Sequence, residues 1–537
     1  MKRVLVGLAA AVAITACTNW DSVKSDFCAS HAGEGNCPAN GSDAGADAGE
    51  DAGQVAQSEF DGGPPVDWLQ VLGGISNDQL DDLKLNPGGF AELAASGSFT
   101  GAIDFGGGVV SAPSPSAPAL FLLTLAADSG TIGSAYGIRC GLYTGDPQTS
   151  LAWGDGGLLL GATCFSASPV VDDGVTVQPI DAGNNLPPGQ LGLDPVVLRL
   201  NNGVFAGELF KSPNQRAAEL RAVAGDGLPY FYVAVNEPLG SEVLGADGGV
   251  DAGNSPLMAR MGVETLAPEL VSSFDCPHVE KLAWEALATD STGDSVMQVY
   301  RRGPSPGPES CSLTIPGQFT GSGSSTSQPG LERVLVWVSN RGVTQHSHLS
   351  LGQISGDGGF VHLAVAGPTL LYVAGLMSAN VGTVFRNSPA PTVASIDLQL
   401  QNTTALHAFA EGPRSAVSIN DIAVVPGASP QIWITGSVRG ELREVDGGAV
   451  LASHDEHSDG FLIRLSPTTL SPVKTVVFGT PGRDEEGRKL IVRPPFIYVG
   501  GTVTAPPNGE GPYSFGGKTA TLNGGSDVLL FRMPIPQ

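Results

Sequence analysis

The amino-acid sequence predicts an all-β protein, a seven-bladed β-propeller of about four strands per blade, preceded by a signal peptide and a disordered acidic tether. Three observations carry this expectation. Apolar, strand-sized segments recur at a steady spacing after residue 65, turn formers are abundant at 74 Gly and 40 Pro, and helical periodicity is nearly absent.

The recurring segments come first. Leu120 to Leu125, Val196 to Leu200, Leu257 to Met261, Val334 to Val338, Ile396 to Leu400, Phe461 to Leu465 and Leu529 to Met533 share one shape, with starts roughly 61 to 77 residues apart. In three of them an aspartate stands five residues before an arginine: Asp194 and Arg199, Asp459 and Arg464, Asp527 and Arg532. A second strand precedes six of them, often β-branched or aromatic and running into a small residue, as in Ile497-Tyr498-Val499-Gly500-Gly501, Ile432-Trp433-Ile434-Thr435-Gly436 and Leu371-Tyr372-Val373-Ala374-Gly375. Phe231 to Ala234, Leu158 to Gly161 and the weaker Leu93 to Phe99 complete the set.

A third element fixes the phase. Leu72-Gly73-Gly74 with Asp78 opens the first unit, and Phe478-Gly479-Thr480 with Asp484 opens the last. Asp155-Gly156-Gly157, Asp247-Gly248-Gly249, Asp357-Gly358-Gly359 and Asp446-Gly447-Gly448 supply the positive backbone dihedrals of tight hairpins. A unit of about four strands cannot bury both faces alone and must stack on its neighbours. The expected organisation is therefore a signal peptide over 1–16, a lipidated tether over 17–65, and a propeller over 66–537. Its repeats are expected at 66–130, 131–203, 204–262, 263–342, 343–404, 405–470 and 471–537.

These units resemble the bacterial seven-bladed β-propeller (SBBP) repeats. Trp68, Gly73, Gly74 and Asp78 match that family's opening, Tyr498, Val499 and Gly501 its middle strand, and Asp459-Gly460-Phe461-Leu462 its closing strand. The match is clear in the first and last two units and diluted between them, where insertions such as 166–190 and 303–330 lengthen the repeat. Two stacked β-sandwich domains are the alternative fold, disfavoured by the regular period.

The start of the chain has its own pattern. Lys2 and Arg3 precede an apolar run from Val4 to Ala13 that is short for a membrane span, and Ile14-Thr15-Ala16-Cys17 follows. This resembles the lipobox of bacterial lipoproteins, which implies a diacylglyceryl thioether on Cys17, cleavage before it and acylation of the new amino terminus. Two or three acyl chains hold firmly, since each buried methylene adds about 0.8 kcal/mol of membrane affinity. Thr18 stands where, in the same family, an aspartate favours the inner membrane, so the cell envelope and its outer membrane are the expected location. The tripeptides Asp43-Ala44-Gly45, Asp47-Ala48-Gly49 and Asp51-Ala52-Gly53 that follow have no apolar face to bury and repel one another. Similar tracts occur in myxobacterial lipoproteins.

Composition narrows the partners. With 27 Lys and Arg against 53 Asp and Glu, the net charge is -26. Such a surface repels phosphate backbones, so no nucleic-acid partner is expected. Beyond Cys17 six cysteines remain, Cys28, Cys37, Cys140, Cys164, Cys276 and Cys311. An even number in an exported chain reads as disulfides, and sequence alone does not choose among their pairings. Short loops favour neighbours: Cys28 with Cys37, Cys140 with Cys164 and Cys276 with Cys311. No zinc spacing is present.

The chemistry-bearing motifs are few. His454-Asp455-Glu456-His457 is expected in a loop and lacks the helix of a zinc protease, and His346-Ser347-His348 places two imidazoles on one strand face. Asp172-Asp173 and Asp484-Glu485 suit carbohydrate cleavage or calcium, yet no spacing selects them. No catalytic, cofactor-binding or metal residues are therefore assigned. The leading functional reading is a membrane-anchored binding or scaffold module for a protein or polysaccharide. The alternatives are a propeller-type glycan hydrolase or lyase, which needs carboxylates converging on the channel, and a structural or adhesion protein stiffened by calcium.

Overall fold

In the computed structural model, residues 65–536 are described apart from segments between strands, the longest being 180–192, 237–256 and 378–389. They belong to the second of two units into which the chain divides, Gln54–Gln537. The expected signal peptide, Cys17, and the tether with Cys28 and Cys37 lie outside the described residues, as do Cys276 and His346 to His348. The described residues are all β, with no helix among them.

The strands form antiparallel sheets that follow one another along the chain. Sheet A contains Asp78–Leu85, Glu92–Phe99, Ala119–Ala126 and Ile132–Arg139, in that lateral order, and sheet B contains Thr149–Gly154, Gly157–Phe165, Leu193–Asn201 and Val204–Leu209. Sheet C begins with Glu219–Ala224, sheet D with Lys281–Thr289 and sheet E with Val361–Val365. Sheet F contains Ala416–Val425, Gln431–Arg443, Val450–Leu465 and Pro472–Phe478; sheet G contains Asp484–Arg493, Phe496–Thr504 and Ser526–Pro534. The first strand of each sheet lies against the first strand of the next, and Asp484–Arg493 of sheet G lies against Asp78–Leu85 of sheet A. The sheets are thereby arranged as a β-propeller whose first strands face its axis.

The sequence explains why these sheets stack. The third strand of sheet A, ALFLLTLA, is buried along almost its whole length. Side chains alternate between faces, so Phe121, Leu123 and Leu125 join Tyr498, Val528 and Leu530 of sheet G, while Leu120 and Leu122 join Leu151, Leu160 and Leu198 of sheet B. A continuous apolar run is what a strand covered on both faces requires. Each such leucine, fully buried, contributes about 1.5–3 kcal/mol.

Sheet G is completed from the other end of the chain. Trp68–Leu72 pairs antiparallel with Ser526–Pro534, from Trp68 opposite Arg532 to Leu72 opposite Val528. Trp68 is buried, its indole Nε1 donates to the Ala127 carbonyl at 3.1 Å, and Arg532 pairs with Asp67 at 3.0 Å. The sequence period and the sheets are thus offset by one strand. Trp68–Leu72, Ile132–Arg139 and Val204–Leu209 each lie near the start of a sequence repeat, yet each forms the fourth strand of the sheet before it.

The Cys140–Cys164 pairing expected from the sequence is present as a disulfide. Its position differs from a bridge within one unit. Cys140 follows the fourth strand of sheet A and Cys164 lies on the second strand of sheet B, so the bond ties two sheets together through their shared core.

Candidate functional site at the propeller axis

The two Gly-and-acid landmarks form one end of the junctions between sheets G and A and between sheets F and G. The Gly74 N–H donates to Asp78 Oδ2 at 2.6 Å, and the third-strand Asp527 packs so close that a Cβ on Gly73 would lie 1.7 Å from its Oδ1. Glycine is therefore required there by close approach. At the other matched site Thr480 donates to Glu485 Oε1 through its N–H at 3.0 Å and its hydroxyl at 2.7 Å, and a Cβ on Gly479 would lie 2.2 Å from Asp459 Oδ1. The counterpart of Asp78 is thus Glu485, and not Asp484 as the sequence register suggested. The turn Thr480–Arg483, with Gly482 at φ 79°, adds one residue and moves the buried carboxyl along by one. Asp484 is instead exposed and accepts from the Ser458 N–H at 2.7 Å.

These carboxyls are deeply buried. Burial pushes Asp78 up to about 7, helped by the charge of Asp527 and opposed by the Gly74 N–H. Burial pushes Glu485 up to about 8, opposed by Thr480 and helped by Asp459. Asp527 is raised by the same cause. Neutral carboxylic acids are the favoured form in such surroundings.

Two of the three motif arginines serve the opposite end. Arg199 Nη1 donates to the Val263 and Glu264 carbonyls of sheet C at 3.0 and 2.9 Å, and Arg532 Nη1 donates to Ala127 O of sheet A at 3.1 Å. Each ties a third strand to a turn of the following sheet. The Asp-to-Arg spacing is thus the length of one strand with an inter-sheet bond at its far end.

At the axis a different pattern emerges. The first strands of sheets A, C, D, F and G each carry a β-bulge, and in the adjoining sheets F, G and A it leaves one extra residue, Asn420, Arg488 or Asp81, followed by Asp421, Lys489 or Asp82. In sheets A and F both positions bond to the next sheet. Asp81 Oδ2 accepts from the Thr149 N–H and hydroxyl at 3.0 and 3.1 Å, and Asp82 Oδ2 accepts from the Leu151 N–H at 2.7 Å. Asn420 Nδ2 donates to Glu486 Oε1 at 2.7 Å and to the Gly487 carbonyl at 2.9 Å, and Asp421 Oδ2 accepts from the Leu490 N–H at 2.8 Å.

Sheet G breaks this rule. Arg488 and Lys489 make no hydrogen bond or ion pair with any described residue. Their charges are nevertheless felt by their neighbours. Burial raises Asp81 to about 6 against the opposing Thr149 donor and Arg488 charge, and it raises Asp421 against Lys489, the Leu490 N–H and Lys84. His362, on the first strand of sheet E, is pushed down to about 3 by burial and by both cations, so its imidazole is neutral. Residues of sheets A, E, F and G thus meet in one mixed-charge cluster at the axis.

The sequence singled out none of this cluster. Bulge positions are invisible to a period-2 reading, and a carboxylate there looks like any solvated strand residue. The motifs it did single out lie elsewhere. His454 to His457 fall within the strand Val450–Leu465 and not in a loop, because Gln431–Arg443 continues pairing past Arg439 and extends the strand around them; His457 Nδ1 is 3.6 Å from Asp484 Oδ1. Asp172 forms an ion pair with Arg139 between outer strands of sheet A. Asp155-Gly156 is the two-residue turn of a hairpin closed by Gly154 opposite Gly157, as its composition predicted. The Asp247, Asp357 and Asp446 turns lie wholly or partly outside the described residues.

No family model matches this chain. No curated protein matches it either. Among solved structures, a eukaryotic initiation factor is similar over 88% of this chain and 93% of its own at 8% identity and a TM-score of 0.33. Drosophila Plexin A, in complex with Semaphorin 1b, is similar over 88% of both chains at 11% identity and a TM-score of 0.26. A Bombyx mori β-fructofuranosidase in complex with sucrose covers 89% of this chain and 91% of its own at 8% identity and a TM-score of 0.24. Scores this low leave the fold to rest on the strand pairing alone.

Proposed function

We propose that this chain is a cell-envelope lipoprotein, anchored in the outer membrane through Cys17, whose seven-bladed propeller of SBBP-like repeats binds a protein or polysaccharide at the axis. The observation that carries the binding reading is the engagement of the axial carboxylates. Asp82 and Asp421 are held by backbone N–H donors of the neighbouring sheet, so they stitch the propeller together and are not poised to move protons. What they build is a rigid frame, and a rigid frame displays loops and axial side chains at small entropic cost. Support for seven blades comes from the circuit of sheets A to G, each laying its first strand against the next.

The test has two arms. Labelled palmitate should enter the wild-type protein and not a Cys17→Ser variant, and release of unlabelled wild-type protein into the medium would refute the anchor. The purified protein should bind envelope glycans or proteins without turning over polysaccharides, esters or peptides. Asp81, raised to about 6, is the axial group that favours the hydrolase reading, since an acid in that range can donate a proton near neutrality. Turnover abolished by Asp81→Asn would establish that reading in place of binding.

A further inference from the structure

We infer that Arg488 and Lys489 form an oxyanion-binding site on the propeller axis, which takes a carboxylate or phosphate group of the bound ligand. The inference deepens the binding-module reading and rests on it. Its basis is the departure of one sheet from a pattern that its neighbours keep. At the bulge and the next position, sheet F presents Asn420 and Asp421 and sheet A presents Asp81 and Asp82, and all four bond to the adjacent sheet. Sheet G presents two cations at the same positions, Arg488 as the extra residue between Gly487 and Lys489.

Neither cation has a described partner, although acceptors lie near. Asp81 and Asp421 feel their charges but are turned to the Thr149 hydroxyl and the Thr149 and Leu490 N–H groups, so neither closes an ion pair. His362 offers no counter-charge, since an imidazole is either neutral or cationic. Both cations are half-buried. Two adjacent half-buried cations kept apart from nearby carboxylates form an arrangement that a stability role does not explain, because the neighbouring sheets show that the position can bond across the interface. Their chemistry points to the ligand. The planar guanidinium fork matches the two oxygens of a carboxylate or phosphate, and the ammonium adds a compact charge beside it.

The test is calorimetric titration of the full mature chain in detergent at low salt with trigalacturonate, inorganic phosphate and neutral maltotriose. Trigalacturonate or phosphate should bind, and Arg488→Gln/Lys489→Gln should weaken that binding roughly tenfold or more, as loss of a charge-assisted contact does. The two anions separate a carboxylate-bearing ligand from a phosphate. In the unsubstituted protein, the His362 ring resonance, assigned with His362→Asn, should move with the same midpoint as the anion occupies the adjacent cations. Absence of anion binding, equal binding by the folded double variant, or an unmoved His362 resonance would overturn the inference. Maltotriose binding that survives any of these results would leave the binding module standing without its oxyanion site.

Discussion

Replacing Glu485 with glutamine should remove part of the protein's loss of stability as pH rises from 4.5 towards about 8. Glu485 is wholly buried, and its carboxyl rises from 4.5 to about 8 on folding. At about 1.4 kcal/mol per tenfold, that rise corresponds to at most about 5 kcal/mol, an upper bound because part of the rise comes from the charge of the neighbouring Asp459. The sign follows from which state binds protons more tightly. The folded carboxyl holds its proton to higher pH than the unfolded one, so this stability is fully present below pH 4.5 and is lost as pH rises towards about 8. Glutamine stays neutral and can still accept from both Thr480 donors. Thermal melting of wild type and Glu485→Gln at about pH 5 and pH 8.5 measures the effect as the difference between two differences. The wild type should lose more apparent stability than the variant on going to the higher pH. Equal losses would show that Glu485 is ionised in its pocket and would refute the argument from burial.

Three further outcomes follow from the same geometry. Gly73→Ala places a methyl against the buried Asp527 carboxyl and should destabilise by about 3 kcal/mol, read as a lower denaturant midpoint, whereas alanine at the exposed Gly427 meets no atom within 4 Å and should leave the midpoint nearly unchanged. Cys140→Ser with Cys164→Ser opens a cross-link of sequence separation 24 and should cost about 3 kcal/mol, with non-reducing peptide mapping of the wild type recovering the Cys140–Cys164 peptide. Trp68→Ala removes a buried indole from the core it shares with Leu83 and Tyr498 and should cost about 3–5 kcal/mol, with limited proteolysis cutting first near Trp68–Leu72.

The strands were legible because burial leaves a mark on composition. Leu120 to Leu125 and Leu529 to Met533 are apolar throughout since neighbours cover both faces, and the Asp155-Gly156 turn was read from its backbone demands. Features set by a single residue of offset were not legible. The extra residue at Thr480–Arg483 moved the buried carboxyl from Asp484 to Glu485, and the bulges that bring Asp81, Asn420 and Arg488 to the axis leave no compositional trace. The cysteine pairing could be read from proximity in the chain, but its role could not. Only the one-strand offset between repeat and sheet makes Cys140 to Cys164 a link between sheets.

That offset also governs the order of assembly. Trp68 pairs with Arg532, 464 residues away (532 − 68), so the last sheet cannot be completed until almost the whole chain has been made. Until then Trp68–Leu72 is an apolar strand without its partner, and once made the third strand of sheet G keeps an open edge until the two pair. Doubling such a loop adds only about 0.6 kcal/mol to the entropy of closing it, so the distance costs time more than final stability. A chain synthesised through Pro534 but not yet closed therefore carries two complementary sticky ends. One molecule's Trp68–Leu72 can complete a neighbour's sheet G by the same register, so exchange of this strand between copies is the characteristic misassembly to look for when the protein is refolded at high concentration.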